Sequence, residues 1–144
     1  MERIIGLDLG SVTCGVAMSD PLGMIARAIT TVRFPSDDYQ QCLEGVLQIL
    51  HENKVKKVVL GLPKHMNGDI GIRGEICLNF KKMLEDQGIE VDMWDERLTT
   101  VAAQKILISA DVSRKKRKKV IDQMAAVQIL QSYLDRQNGG LVSF

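Results

Sequence analysis

Residues 3–20, RIIGLDLGSVTCGVAMSD, contain two apolar strands joined by a glycine loop. The first strand is apolar at nearly every position, a pattern typical of a strand covered on both faces. It ends in one carboxylate, Asp8, and no lysine or arginine follows in the loop. Taking an unpaired carboxylate out of water costs several kcal/mol unless its pKa shifts until it is neutral. We therefore expect a compensating group close to Asp8.

Length and composition indicate one folded domain and exclude several classes of protein. The chain has 144 residues, 45% of them hydrophobic, so we expect residues 1–144 to form a single domain with a sizeable core. The three cysteines and two histidines lack the spacing of a zinc site, and we expect the cysteines to be reduced. Neither a signal sequence nor a long apolar run is present, so we expect a cytoplasmic protein without a membrane partner.

The hydrophobic periodicity predicts strands and helices in the order βββαβαβαα. A third strand over residues 24–32, rich in β-branched residues, completes an antiparallel meander, and helical spacing begins after Pro35. Two further strands end at Pro63 and Trp94, and each follows a predicted helix. Parallel neighbours need crossover connections. The order therefore predicts an α/β fold with a five-stranded mixed sheet, three antiparallel strands followed by parallel strands, and helices on both faces.

Two acidic residues follow strands at the same edge of this predicted sheet. Crossover connections are right-handed, which places the strands ending at Asp8, Pro63 and Trp94 side by side. Their carboxyl ends then lie along one edge, where open α/β sheets bind ligands. Glu96 belongs to the motif DERLTT, which begins directly after Trp94. We therefore expect Asp8 and Glu96 to lie close together.

A third carboxylate, Asp122, belongs to the last predicted helix. Ala125, Ala126 and Ile129 follow it at helical spacing, so Asp122 lies on an apolar stripe that faces the sheet. The small alanines let this helix approach the sheet closely. The sequence thus predicts a cluster of three carboxylates, formed by Asp8, Glu96 and Asp122.

This cluster has two interpretations. For any one acid, neutralisation by a basic neighbour such as Arg97 is the commoner arrangement. Three converging acids instead favour divalent cations, which bind carboxylate oxygens and activate water in phosphoryl transfer. We therefore predict Asp8, Glu96 and Asp122 as catalytic and metal-binding residues, with Mg²⁺ as the cofactor and Mn²⁺ as an alternative. A bound metal would also be the group that compensates Asp8.

Six cations, RKKRKK at residues 114–119, occupy the first turns of the last predicted helix. Such a run is commonly a solvated face. However, cations are unfavourable at a helix N-terminus, where the macrodipole is positive, and a nucleic-acid backbone would offset this effect. We therefore predict nucleic acid as the partner, bound along a basic track formed by Lys64, Arg73, Arg97, Arg114, Lys115, Lys116 and Arg117.

Four separated motifs occur along the chain. They read GLDLGSVTCGVAMSD, VVLGLPKHMNGDIGIRG, WDERLTT and VIDQMAAVQILQSYLD. In order and spacing they closely resemble the YqgF (RuvX) family of RNase H-like proteins, over nearly the whole chain. The family is described as a Holliday junction resolvase and as a nuclease that processes the 5′ end of pre-16S rRNA. The resemblance implies an RNase H-like fold and metal-dependent phosphodiester cleavage that leaves a 3′-hydroxyl and a 5′-phosphate.

Carried over by motif, the acids of the family fall on Asp8, Glu96 and Asp122, the residues selected above on physical grounds. Two positions depart from the family pattern. Thr13 stands where many members have an arginine in the first glycine loop, which argues against a phosphate contact from that position. The strand ending in GLP lacks the acid that many RNase H-like nucleases place there, so a second metal site would be weak or would depend on Glu96.

Other functions are compatible with some of the same residues. GLDLGS resembles the phosphate-binding turn of actin-like ATPases and sugar kinases, but those proteins need two such domains and 144 residues hold only one. A ribosome-assembly factor that binds RNA with little catalysis would also keep the three acids. Within the nuclease interpretation, precursor rRNA and branched DNA both stay open as substrates. Monomer and homodimer also stay open, because junction resolution requires two opposed active sites.

Overall fold

The computed structural model describes residues 2–63, 71–96 and 114–138, with the side chains of the last range given from residue 124 onward. The strands are β1 Ile5–Leu9, β2 Thr13–Ser19, β3 Ala26–Arg33, β4 Lys57–Leu62 and β5 Glu90–Asp95. The helices in these ranges are α1 Tyr39–Glu52, α2 Gly71–Asp86 and α3 Arg114–Gln137. None of these helices has the length and apolar character to cross a bilayer. The third of the four helices in the predicted order βββαβαβαα, which would span residues 101–109, lies outside the described ranges.

The five strands form one sheet in the order β3-β2-β1-β4-β5. β1, β2 and β3 pair antiparallel, whereas β4 pairs parallel with both β1 and β5. This confirms the predicted mixed sheet, with the carboxyl ends of β1, β4 and β5 along one edge. Leu7 pairs with Leu60, and Gly61 pairs with Trp94. Asp8 and Gly61 are therefore level with each other on adjacent strands.

Helices cover both faces of the sheet, as predicted. One hydrophobic cluster joins the sheet to α1 and α2 and includes Leu7, Leu50, Leu60 and Phe80. The other joins the sheet to α3 and includes Val59, Ala126, Ile129 and Leu130. Each fully buried side chain of this size stabilises the fold by roughly 1.5–3 kcal/mol relative to exposure. The three cysteines are free and buried in the first cluster.

The close contact between α3 and the sheet depends on glycine at position 6. A Cβ atom at Gly6 would lie 2.7 Å from Cβ of Leu130 and 3.2 Å from the carbonyl oxygen of Ala126. These distances are too short for a side chain to fit without moving the helix. Ala125 and Ala126 are buried, as the sequence predicts. The close approach of α3 to the sheet therefore depends on Gly6 in β1 as well as on the small residues of α3.

Helices α1 and α2 end with the same C-terminal motif. At the end of α1, the N–H of Val55 donates to the carbonyl of Leu50 at 2.9 Å, and Ile89 makes the equivalent bond after α2 at 3.2 Å. The motif requires one residue with positive φ. That residue is Gly88 after α2, with φ 81°, but Lys54 after α1, with φ 56°. The end of α1 therefore carries a conformational cost that the end of α2 avoids.

Replacing Lys54 by glycine should raise the free energy of unfolding by about 0.5–1 kcal/mol, because glycine adopts positive φ without a steric penalty. The loss of a cation near the C-terminus of α1 offsets part of this gain. Urea denaturation measures the change as a shift in midpoint at constant slope. The matched variant Gly88→Ala should lose about 1 kcal/mol for the same reason. A lower midpoint for Lys54→Gly would contradict this account.

Candidate active site

The edge formed by the carboxyl ends of β1, β4 and β5 carries a cavity of about 480 Å³. Asp8 lies within β1, and Glu96 follows directly after β5. The structure therefore brings together two of the three predicted carboxylates at the predicted edge of the sheet. The cavity is lined by Asp8, Leu9, Gly10, Ser11, Pro63, Arg73 and Glu96.

Glu96 extends over β4 in the direction of Asp8. Adjacent strands lie about 4.8 Å apart, and β4 separates β1 from β5. At this point β4 has Gly61, where a Cβ atom would lie 3.1 Å from Oε1 of Glu96 and 2.6 Å from Cδ1 of Ile129. Gly61 therefore leaves the space that the Glu96 carboxylate occupies. The strand has no acid of its own, and the carboxylate above it comes from β5 instead.

The buried thiol of Cys77 responds to the charges around the cavity. Burial, followed by the negative charge of Glu96 and then that of Asp8, raises the pKa of Cys77 to about 12, and Arg73 opposes this rise. The two carboxylates and the guanidinium therefore act on one small region beneath the cavity. Cys77 is therefore a protonated thiol at neutral pH.

The donor set of the cavity fits a hard divalent cation. Mg²⁺ prefers carboxylate oxygens and needs only one or two of them from the protein, because water and substrate phosphate complete its shell. The space above Gly61 supports this fit, since any side chain there would collide with the Glu96 carboxylate. Within the described ranges no group of three or more Asp, Glu, His or Cys residues is placed to hold an ion. Among these residues, the candidate ligands are therefore Asp8 and Glu96.

The side chain of Asp122, the third predicted carboxylate, lies outside the described part of the chain, but its place in α3 is known. Ile129 lies at Gly61 near the end of β4, whereas the ring of Tyr133 lies 5.6 Å from Nζ of Lys57 at the start of β4. Helix α3 therefore runs away from the cavity. Residue 122 precedes Ile129 by about 10 Å along the helix axis, on the cavity side. Its role as a catalytic and metal-binding residue stays a prediction.

The predicted basic track is described only in part. Arg73, in the first turn of α2, lines the cavity. Helix α3 begins at the cationic run, as predicted, but the side chains there lie outside the described part of the chain; these residues are Arg114, Lys115, Lys116 and Arg117. Two further residues, Lys64 and Arg97, lie outside the described ranges altogether. Arg73 is thus the member of the track whose contacts are known.

A second cavity, of about 510 Å³, lies at the opposite edge of the sheet, between the C-terminal ends of α1 and α2. Its walls are apolar with a basic and amide rim, and its lining residues are Leu47, Leu50, His51, Lys54, Val55, Lys56, Gln87 and Ile89. None of its described lining residues is a carboxylate, the ligand that a hard divalent cation prefers. The cavity that contains Asp8 and Glu96 is therefore the candidate active site although it is slightly smaller.

Comparison with known families identifies the chain. The sequence model described as "RuvX: Holliday junction resolvase" matches residues 2–136. The chain belongs to this RuvX family. A relative from Oceanobacillus iheyensis, named "Putative pre-16S rRNA nuclease", is 52% identical over 136 residues, covering 94% of this chain and 99% of the relative. A Clostridium botulinum protein of the same name is 53% identical over 135 residues, covering 93% of this chain and 97% of its own.

Solved structures confirm the fold of this RuvX family member. The chain is similar to RuvC of T. thermophilus, solved in complex with a Holliday junction substrate, with a TM-score of 0.66 over 98% of both chains. The two sequences are only 13% identical, so the likeness concerns the fold alone. The RNase H-like fold implied by the motifs is thereby confirmed.

Two contributors to the site in this RuvX family member were missed by the sequence analysis. Gly61 stands within the quoted motif VVLGLP, where a glycine inside a buried strand signals close approach of another group. Tyr39 accepts a hydrogen bond from Nη1 of Arg73 at 3.2 Å. A tyrosine at the start of an amphipathic helix carries no such signal, because its partner lies 34 residues away.

Proposed function

We propose that this RuvX family member is a divalent-metal-dependent nuclease that hydrolyses phosphodiester bonds at the 5′ end of pre-16S rRNA during ribosome biogenesis. The name shared by its close relatives supports the substrate, and the family supports the reaction class. The observation that carries the proposal is that Asp8 and Glu96 line one cavity, with the space above Gly61 left open for a carboxylate. Asp122 is the proposed third ligand. Mg²⁺ is the proposed cofactor, and Mn²⁺ would substitute for it.

In the proposed reaction, a water oxygen attacks phosphorus and the bond between phosphorus and the 3′ oxygen breaks. The leaving oxygen takes up a proton, and the products are a 3′-hydroxyl and a 5′-phosphate. Mg²⁺ held by Asp8 and Glu96 would stabilise negative charge on the phosphate and leaving oxygens. The carboxylates of Asp8 and Glu96 also accept hydrogen bonds from the attacking water and so orient it. Gly10, next to Asp8 in the cavity wall, lets the RNA backbone approach closely.

Cleavage of two labelled substrates tests this proposal. Precursor rRNA carrying the unprocessed 5′ end and a four-way DNA junction are each incubated with the protein in Mg²⁺ and in Mn²⁺. We expect metal-dependent cleavage of the RNA, with a 5′-phosphate on the downstream product. Cleavage of the junction alone would support the resolvase activity named in the family description instead. Metal-dependent binding of RNA without any product would identify an RNA-binding assembly factor.

Charge reversal at Lys115 and Lys116 should weaken RNA binding and lower its salt dependence. Both residues belong to the first turn of α3, the end of the helix that lies toward the cavity. The slope of log K against log salt should fall by about 1.5 for two lost phosphate contacts on single-stranded RNA. Fluorescence anisotropy at several salt concentrations measures this slope. The matched variant Lys81→Glu/Lys82→Glu changes the same charge near the C-terminal end of α2 and should leave the slope nearly unchanged. Equal slopes for both double variants would remove the start of α3 from the proposed track.

We propose that residues 1–144 act as one nuclease domain in the cytoplasm, where precursor rRNA is processed. Hydrolysis of a single RNA strand needs one active site, so either a monomer or a homodimer would serve. Junction resolution would instead require a dimer that presents two active sites to opposed strands.

A further inference from the structure

Arg73 is held in a fixed position beside the two carboxylates. It lies in the first turn of α2, is half-buried, and lines the cavity with Asp8 and Glu96. Its Nη2 donates to the carbonyl oxygen of Leu9 at 2.9 Å, and its Nη1 donates to the hydroxyl of Tyr39 at 3.2 Å. An exposed arginine that attracts a nucleic-acid backbone only by its charge does not require two such hydrogen bonds. The two hydrogen bonds therefore hold the guanidinium in one orientation.

Tyr39 is itself fixed by its neighbours. Its ring packs against Phe34, with ring centroids 5.8 Å apart, and its hydroxyl donates to Oδ1 of Asp37 at 3.0 Å. Burial, the largest influence, raises the pKa of Tyr39, so the hydroxyl stays protonated at neutral pH. Its single proton goes to Asp37, which leaves a lone pair that accepts the hydrogen bond from Arg73. We refer to Asp37, Tyr39 and Arg73 as the arginine relay.

The arginine relay is also anchored to the loop that follows Asp8. Asp37 has φ 59°, an uncommon conformation for a residue other than glycine, and its N–H donates to the carbonyl oxygen of Ser11 at 2.8 Å. At the other end of the relay, Arg73 binds the carbonyl of Leu9. The relay therefore spans Gly10 and ties both sides of the glycine loop together. Strained backbone of this kind persists where the surroundings hold it and is frequent at functional sites.

The two hydrogen bonds of Arg73 to described residues use only some of its N–H groups. A guanidinium has five N–H donors in one plane. The bonds to Leu9 and Tyr39 use one donor on each Nη. The remaining donors belong to a group that lines the same cavity as the carboxylates. Their planar arrangement matches two oxygens of a phosphate.

We propose that Arg73 is a catalytic residue that donates to a non-bridging oxygen of the scissile phosphate, and that Tyr39 and Asp37 are positioning residues for it. This inference rests on the proposed nuclease function. Negative charge grows on the phosphate oxygens during attack, so donors fixed in advance stabilise the transition state more than the bound substrate. The relay supplies that fixed position. Its loss should therefore lower the cleavage rate more than the affinity for RNA.

Four variants test this inference: Arg73→Ala, Arg73→Lys, Tyr39→Phe and, as a matched control, Tyr133→Phe. The Tyr133 hydroxyl donates to Asp92 and does not line the cavity, so it loses a comparable bond elsewhere. Single-turnover cleavage of the precursor rRNA at saturating protein gives the rate, and anisotropy in Ca²⁺ gives the affinity. We expect rate losses of about 100-fold for Arg73→Ala and about 10-fold for Tyr39→Phe, with affinity within about threefold. Arg73→Lys should not restore the rate, and Tyr133→Phe should cleave normally.

A second readout does not depend on cleavage. In NMR spectra of the labelled protein, inorganic phosphate should shift the side-chain N–H signals of Arg73, and Tyr39→Phe should weaken this response. Wild-type rates in both Tyr39→Phe and Arg73→Lys would overturn the inference, as would a loss of affinity at an unchanged single-turnover rate. If the wild-type protein cleaves no more than Asp8→Asn, the proposed function fails. The phosphate titration then still decides about Arg73, because an unshifted signal overturns the contact and a shifted signal supports it.

Discussion

Asp8→Asn should lower the rate of RNA cleavage by about a thousandfold, because a ligand that helps to hold a divalent cation supports several kcal/mol of transition-state stabilisation. Asn has nearly the same shape as Asp, so the sheet should keep its register and the melting temperature should change little. Affinity for RNA should stay within about threefold, since Asp8 repels the phosphate backbone rather than attracting it. Single-turnover cleavage in Mg²⁺ and anisotropy in Ca²⁺ measure the two effects separately.

The control for this variant removes a carboxylate that has no place in the cavity. Asp86 is exposed at the C-terminal end of α2, near the edge of the sheet opposite to the cavity. Asp86→Asn changes the net charge by the same amount and should cleave at the wild-type rate. If Asp8→Asn cleaved as fast as Asp86→Asn in Mg²⁺, Asp8 would not be a catalytic residue, and the nuclease proposal would lose its central group.

Gly6→Val should lower the free energy of unfolding by about 3 kcal/mol, near the upper end of the usual range for an overpacked core. The first added carbon would lie 2.7 Å from Cβ of Leu130 and 3.2 Å from the carbonyl oxygen of Ala126. Neither atom can move without moving the backbone of α3. Gly6→Ala should cost about 1–2 kcal/mol for the same reason. Urea denaturation of both variants measures the loss.

Gly45→Ala is the matched control for this experiment. A Cβ at Gly45 would lie 2.8 Å from Cγ1 of Val32, which is the end of a side chain rather than backbone. Gly45 also lies within α1, where alanine is favoured over glycine by about 1 kcal/mol. Gly45→Ala should therefore lose less stability than Gly6→Ala, because the helix propensity of alanine offsets the movement of Val32. If Gly6→Ala and Gly45→Ala were equally stable, contact between α3 and β1 would not limit the residue at position 6.

The main parts of the fold and half of the site were predictable from simple sequence patterns. Continuous apolar strands, a meander and two crossover connections leave few sheet topologies, and right-handed crossovers place the ends of β1, β4 and β5 together. The convergence of Asp8 and Glu96 follows directly from that order. Burial of Ala126 and Ile129 also followed from helical spacing. These features depend on local periodicity or on the order of strands and helices, and both appear as repeated patterns along the sequence.

The remaining features depend on single contacts between residues that are distant in sequence. The arginine relay joins Tyr39 to Arg73 with one hydrogen bond, and no periodic pattern announces such a pair. The position of the Glu96 carboxylate relative to Asp8 depends on the sheet register, which places Gly61 at the same level as Asp8. Thr13, where many family members have arginine, is only 5% exposed. Sequence alone could report the departure at that position but not that the side chain is buried.

Gly61 links the candidate active site to the packing of the hydrophobic core. A single added methyl group there would press on Ile129 and on the Glu96 carboxylate at once. A substitution at this position would therefore disturb both the packing of α3 and the position of the carboxylate. A second mutation that made room for Ile129 would still leave the Glu96 carboxylate displaced. A designer who wished to alter the candidate active site would therefore do better to vary the cavity rim than the strand beneath it.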